Sequence, residues 1–256
     1  MKRISLIFIA GSLAVAAQAQ LIDDFNTPGL SEYTQTVVLQ NGASSGIVFS
    51  DSTGALTLSK ASGTSPEQVL FLRNDFSLSV GQTLRVDTIS QISDGTVTDF
   101  GLAISALVNP PAAVWTGANV STRQDYINVY LKRQTGAIGY IGFNGTTQQF
   151  SSSGVTPVPD FASVTGLFIT RTASDSFDLG YSTASGDTSL FSATGMPTTI
   201  GNALGFYADV RSVTSYGTLD NLRLTAVPEP ASATLLALGG ISALVLVFRR
   251  RAASVR

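Results

Sequence analysis

The 256-residue chain contains no cysteine and no histidine, a single tryptophan and two methionines, and only 12% of its residues are charged. Without cysteine there is neither a disulfide nor a thiolate nucleophile, so core packing must hold the fold together. Without histidine the commonest general base and the commonest zinc ligand are missing, which excludes a Ser-His-Asp triad. A Ser-Lys dyad would need Lys60 or Lys132, and neither stands in an S-x-x-K setting. Glutamate is scarce as well: between residues 20 and 226 only Glu32 and Glu67 occur. Nucleophilic and acid-base enzymology is thus largely closed off.

What is present starts with two unlike ends. Lys2 and Arg3 precede an apolar stretch from Ile4 to Ala17 that closes in Ala17-Gln18-Ala19. A charged start, an apolar middle and small residues at the cleavage positions read as a secretory signal helix over residues 1–19, with Ala17 and Ala19 at the cleavage site and Gln20 as the mature start. The chain is therefore predicted to leave the cytoplasm. Removing both ends leaves nine Lys and Arg against sixteen Asp and Glu in residues 20–226, a formal charge near −7. Such a surface argues against nucleic acid as a partner, because that binding relies on cations neutralising phosphates.

Residues 20–226 read as one domain of strands. Short alternating runs are separated by Gly, Ser, Thr, Asn and Asp clusters. In QTLRVDTI, Leu84, Val86 and Thr88 share one face and Arg85 and Asp87 the other. Phe100, Leu102, Ile104 and Ala106 alternate likewise, as do Ile127, Val129 and Leu131, and Phe177, Leu179 and Tyr181. One face of each strand is expected in the core and the other in water. Further strands are expected at TQTVVLQ, GIVFS, ALTLS, EQVLFLR, AIGYIGF, GLFITR, ALGFYADV and TLDNLRLT, about a dozen in all. Gly81, Gly136, Gly145, Gly186 and Gly217 stand where hairpin turns are needed, and residues 118–123 and 151–159 form longer loops.

The block opens LIDDFN and closes GTLDNLRLTAVPEP. This pairing resembles the first and last strands of concanavalin-like, laminin-G-like jelly rolls in exported bacterial proteins. The resemblance covers residues 20–226 and implies an all-β, two-sheet antiparallel sandwich. The concanavalin-like endoglucanases carry an E-x-D-x-E strand whose alternate acids enter the groove; nothing here matches it. Two carboxylates across a cleft suffice for glycoside hydrolysis, and Asp87 with Asp209 stays open as such a pair. The domain is nonetheless expected to be no enzyme and to need no cofactor.

A glycan wants aromatic faces beside polar donors and acceptors. Tyr126, Asn128 and Tyr130 share the face opposite Ile127 and Val129, and Tyr207, Asp209 and Arg211 share the face opposite Phe206 and Ala208. These six are the candidate glycan face; the alternative is that the tyrosines pack beneath loops. Trp115 suits a lid over the core as well as a ligand platform. Asp23 and Asp24 would meet Asp220 and Asn221 if the first and last strands pair, an oxygen set that calcium favours, but no D-x-D-x-D-G loop is present and no metal site is assigned.

The other end, residues 227–256, reads VPEPASATLLALGGISALVLVFRRR and onward. Ala231 to Phe248 are uncharged and include nine Leu, Ile, Val or Phe residues. As a helix they would span about 27 Å, near a bilayer core of about 30 Å. At about 0.3–0.6 kcal/mol each, the nine contribute about 4 kcal/mol toward insertion. Arg249, Arg250 and Arg251 open a basic tail, 249–256, that the positive-inside rule places in the cytoplasm, leaving the domain outside.

Val227-Pro228-Glu229-Pro230, followed by that apolar run and the arginine cluster, resembles the PEP-CTERM sorting signal of bacteria that make extracellular polysaccharide. The resemblance implies recognition and cleavage by an exosortase, a membrane enzyme with a cysteine nucleophile, and transient inner-membrane anchoring before delivery to the cell envelope or extracellular matrix. The prolines lack amide donors and keep the segment extended outside the membrane. The expected role is therefore an exported, sorted protein whose sandwich is structural or glycan-contacting, with extracellular polysaccharide as a partner. The alternatives are a dedicated carbohydrate-binding module and a glycoside hydrolase or lyase.

Overall fold

The computed structural model describes residues 19–27, 29–40, 46–60, 67–88, 98–152, 156–157, 161–210 and 216–226. The signal segment before Ala19, Arg211, and the sorting motif, apolar span and basic tail from Val227 on lie outside the described residues. Among the described residues no helix is long and apolar enough to cross a membrane. The chain divides into two units, and the one described is Ala19–Ala226.

Period-two alternation lays this unit down as strands. In chain order they begin with β1 (Ala19–Asp23), β2 (Thr34–Gln40), β3 (Ile47–Ser50), β4 (Leu56–Lys60), β5 (Glu67–Arg73) and β6 (Gln82–Thr88). Next come β7 (Thr98–Ser105), β8 (Trp115–Thr116), β9 (Asn119–Val120), β10 (Tyr126–Lys132), β11 (Ala137–Asn144) and β12 (Thr147–Ser151). The last are β13 (Thr156–Pro157), β14 (Val164–Ala173), β15 (Ser176–Thr183), β16 (Gly186–Ala193), β17 (Ala203–Val210) and β18 (Tyr216–Ala226). One 3-10 turn, Phe161–Ser163, precedes β14. The strands form two antiparallel sheets. The first runs β16-β15-β14-β6-β18-β4-β3 with β1 also on β18, and the second runs β2-β5-β17-β7-β10-β11-β12-β9-β8 with β13 on β11.

The inward rows of both sheets make one core. Leu84, Val86, Leu167, Ile169 and Leu179 of the first sheet cluster with Phe100, Leu102, Ile104, Ile127, Val129 and Phe206 of the second. Rings of Phe49 and Phe71 stack at 4.3 Å between centroids, and Tyr33 stacks on Phe71 at 4.6 Å. Each fully buried side chain of this kind contributes about 1.5–3 kcal/mol, which is how the fold manages without disulfides.

The expected strands all form, and the alternation of Leu84 and Val86 against Arg85 holds, with Leu84 and Val86 buried and Arg85 only partly so. The expectation of a wet second face fails in the second sheet. β10 and β17 are buried along almost their whole length on both faces, and so is most of β7. The cause is the chain between β7 and β10, which folds back over the outer face: the Ala113 amide donates to the Val38 carbonyl at 2.9 Å and Leu39 bridges Ala113. Five strands escape a reading by hydrophobic pattern: the two-residue β8, β9 and β13, and the mostly polar β12 and β16, with the first four residues of β16 all exposed. Gly136 and Gly145 occupy hairpin turns at φ 63 and 66, but Gly217 lies inside β18 rather than in a turn. The expected 118–123 loop contains the short strand β9, and the 151–159 loop contains β13.

Candidate functional site

Strand registers assemble the outer face of the second sheet. Leu70, Tyr207, Gly101, Tyr130 and Gly139 form one cross-strand row, and Gln68, Asp209, Asp99 and Lys132 form the next. The glycines have a steric reason: a Cβ on Gly139 would lie 2.3 Å from the Tyr130 ring, and one on Gly101 would lie 2.1 Å from the Val129 carbonyl oxygen. The Tyr130 ring therefore covers Gly139, and its centre lies 5.3 Å from that of Tyr207 with the two rings tilted by 42°.

Of the six candidate glycan residues, Tyr126, Asn128, Tyr130, Tyr207 and Asp209 do share this face, and Arg211 lies outside the described residues. The five are not open to a ligand. Tyr126 and Asn128 have no exposed surface, and Tyr207 and Asp209 have almost none. The three tyrosines cluster with Ala113, Val120 and Trp115, with the Trp115 ring 5.4 Å from that of Phe143. The tyrosines thus pack under a loop, as sequence alternation alone had left open. Burial is the main cause that pushes all three phenols above their ordinary range, and the neighbouring charge of Asp209 adds to it. All three remain neutral hydroxyls at any physiological pH. Asn128 Oδ1 accepts the Ile141 amide at 3.0 Å, whereas the Tyr126 hydroxyl and Asn128 Nδ2 meet no hydrogen-bond partner among the described residues.

The accessible site lies at the ends of β7 and β17. A cleft of about 540 Å³ has apolar walls in Leu107, Pro110 and Pro111 and polar ones in Arg123, Asp125 and Asn202. Sequence reasoning missed these residues, since no strand pattern marks them; the only signals were the length of the 106–125 connection and the Arg123-x-Asp125 spacing. Their geometry is fixed by local hydrogen bonds. Asp125 accepts from Arg123 Nε at 2.5 Å and from the Gly145 amide at 2.7 Å. Ser105 Oγ donates to the Asp125 carbonyl at 3.1 Å and accepts the Leu107 amide at 3.2 Å. Gln124, fully buried, donates through its side-chain amide to the Pro111 carbonyl. The opposite wall is a turn whose Gly201 adopts φ 104 and donates its amide to the Ser105 carbonyl at 3.1 Å. Arg123 keeps 65% of its side chain exposed while Asp125 keeps 10%, so a cation faces solvent over a buried acceptor.

The acids at the domain ends also come together. β1 pairs with β18, and Asp87 and Asp220 are register partners. Desolvation raises Asp220 above the ordinary carboxylate range, with the charges of Asp87 and Asp24 adding to it. Asp23 is occupied otherwise, accepting the Phe25 amide at 2.9 Å and the Tyr33 hydroxyl at 3.1 Å. Among the described residues no three acidic, histidine or cysteine side chains gather in a metal-holding geometry. Asp87 and Asp209, the pair considered for hydrolysis, belong to different sheets.

Comparison with known proteins bears on the fold and on the tail. The chain is similar in structure to a Bacillus licheniformis β-glucanase at 11% identity and a TM-score of 0.50, covering 82% of this chain and 97% of that one. Other similar structures are a legume lectin-like domain from Entamoeba histolytica (8% identity, TM-score 0.48, 75% of this chain and 88% of that one) and LamAcat from Zobellia galactanivorans (9%, 0.47, 80% and 97%). At such identity the likeness is one of fold alone. No match was found among curated proteins. The sequence model of the PEP-CTERM protein-sorting motif matches residues 226–251. The chain is thus an all-β sandwich followed directly by a PEP-CTERM protein-sorting motif.

Proposed function

We propose that this protein is exported, held briefly in the inner membrane by residues 231–248, processed by an exosortase-type enzyme, and delivered to the cell envelope or matrix, where its sandwich contacts extracellular polysaccharide without cleaving it. The matched sorting motif carries the first half of this reading. The cleft at the ends of β7 and β17 carries the second. Leu107, Pro110 and Pro111 offer apolar surface for a sugar ring, and Arg123, Asp125 and Asn202 offer donors and acceptors for its hydroxyls. A non-catalytic role is supported by the carboxylates: among the described residues that line the cleft Asp125 is the one acid, and it is tied to Arg123, whereas glycoside hydrolysis uses two.

Trp115 is the chain's only tryptophan, and it sits in the same 106–125 connection as the cleft walls, so its emission should report on binding there. A glycan array followed by Trp115 fluorescence titration of the hits is expected to give saturable binding that Arg123→Ala weakens at least tenfold. Binding that ignores this substitution would move the site elsewhere, and an array without hits would leave a structural role. Sorting is tested separately: a C-terminus still at Arg256 in a host carrying an exosortase would overturn it.

A further inference from the structure

The two processed ends of the exported domain meet in one ladder. β1 pairs antiparallel with β18 so that Ala19 lies opposite Thr225, Gln20 opposite Leu224 and Leu21 opposite Arg223. On its other side β18 pairs with β6 up to its final residue, Ala226 opposite Gln82. The sorting motif begins at that same residue 226, so no linker separates the sheet from the motif. Pro228, two residues on in the sequence, has no amide to donate. Signal removal after Ala19 would leave Gln20, the partner of Leu224, as the new amino terminus.

β1 is the outermost strand at this point. Among the described residues it pairs only with β18, and Ala19, Gln20 and Leu21 are exposed, Leu21 by 53%. Take β1 away and the edge of β18 from Leu222 to Thr225 presents free backbone groups. Such an edge accepts an added strand, which is how extended peptides are commonly gripped.

We propose that β1 is a guard strand: by covering the free edge of β18 it confines C-terminal processing to the chain beyond Ala226. This rests on the sorting reading above. In the cut, one peptide C–N bond beyond Ala226 breaks. Its acyl carbon bonds to the thiol sulfur of the processing enzyme and then to a water or amine acceptor. The thiol proton goes to the leaving nitrogen, which becomes the amino terminus of the membrane segment. The N-terminal strand, given its free end by one cleavage, thereby sets the limit of the other.

Mass spectrometry of both termini tests this on the full chain, expressed in a host with an exosortase and in the same host lacking it. The expected product appears only with the enzyme, begins at Gln20 and ends at Val227 or later; a product ending at or before Ala226 overturns the proposal. Leu21→Pro, which breaks the β1 ladder but leaves Ile22 to pack on the core, should raise products ending within 222–226 at least roughly tenfold. Leu21→Val should restore the single product. A Leu21→Pro protein processed like the parent overturns the guard role while the sorting reading stands. A chain intact to Arg256 in both hosts overturns sorting instead, and hydrogen exchange on that unprocessed chain still reads the guard. Of the amides 222–225, those that face β1 rather than β6 should lose protection about tenfold or more in Leu21→Pro, and unchanged protection overturns the proposal.

Discussion

Gly101 and Tyr126 show how much a single position carries on the outer face of the second sheet. A methyl group at Gly101 would meet the Val129 carbonyl at 2.1 Å and the Tyr130 Cα at 2.5 Å, both backbone atoms that have nowhere to move. Gly101→Ala is expected to cost about 2–3 kcal/mol, read as a drop in the urea midpoint at unchanged slope. Tyr126 offers the opposite case, a fully buried hydroxyl with no partner among the described residues. Removing it in Tyr126→Phe should stabilise the domain by about 1 kcal/mol, and a loss of stability would mean that the hydroxyl is satisfied. Alternation made Tyr126, Asn128 and Tyr130 legible as one face. It carried no information on what covers that face, because the covering residues come from a separate segment of irregular backbone.

Among the elements, the turn between β16 and β17 depends on a side chain of β14. Arg171 donates to the carbonyls of Leu78 at 3.0 Å, Ser174 at 2.5 Å and Thr198 at 2.7 Å, and its guanidinium lies 5.5 Å from the Phe177 ring centre. Thr199 and Asn202 of that turn form one wall of the cleft. Arg171→Met keeps the aliphatic stem but strands three carbonyls, with an expected cost of about 2–4 kcal/mol by denaturant unfolding. It should also weaken any ligand bound in the cleft, through the displaced wall. The strands with strong alternation, β6, β10 and β17, could be read from sequence almost to the residue. β12 and β16 could not, since each packs only a few apolar side chains, Phe150 in one and Leu190, Phe191 and Ala193 in the other, with no period-two pattern to mark them before the partner's backbone is known.

For the whole molecule, acid tests the balance of charges. The Arg73 hydrogen bond holds the Asp75 carboxyl below its ordinary value of 3.8, and the Arg85 hydrogen bond does the same for Asp187. These groups add stability that is complete above 3.8 and is lost as pH falls through their lower folded values. Asp220 has the opposite sign: its folded value is raised, so its ionised form destabilises at neutral pH and protonation relieves the strain. The melting temperature should therefore hold or rise slightly as pH drops from 7 toward the carboxylate range, then fall below 3.8. Asp220→Asn should raise it by roughly 1–3 °C at pH 7. That gain should vanish in acid; a gain that persists there would point away from charge.

The sequence by itself determined the fold class, the position of nearly every core strand and the sorting tail, because period-two alternation, Pro-Glu-Pro and an apolar run before arginines are local signals. It also excluded histidine and cysteine chemistry by composition alone. Only the tertiary structure decided that the tyrosine face is covered, that a cleft opens at the strand ends beside Arg123 and Asp125, and that Ala19 lies opposite Thr225. Each of these depends on segments far apart in the chain, whose meeting is set by sheet topology and leaves no periodic trace in either partner.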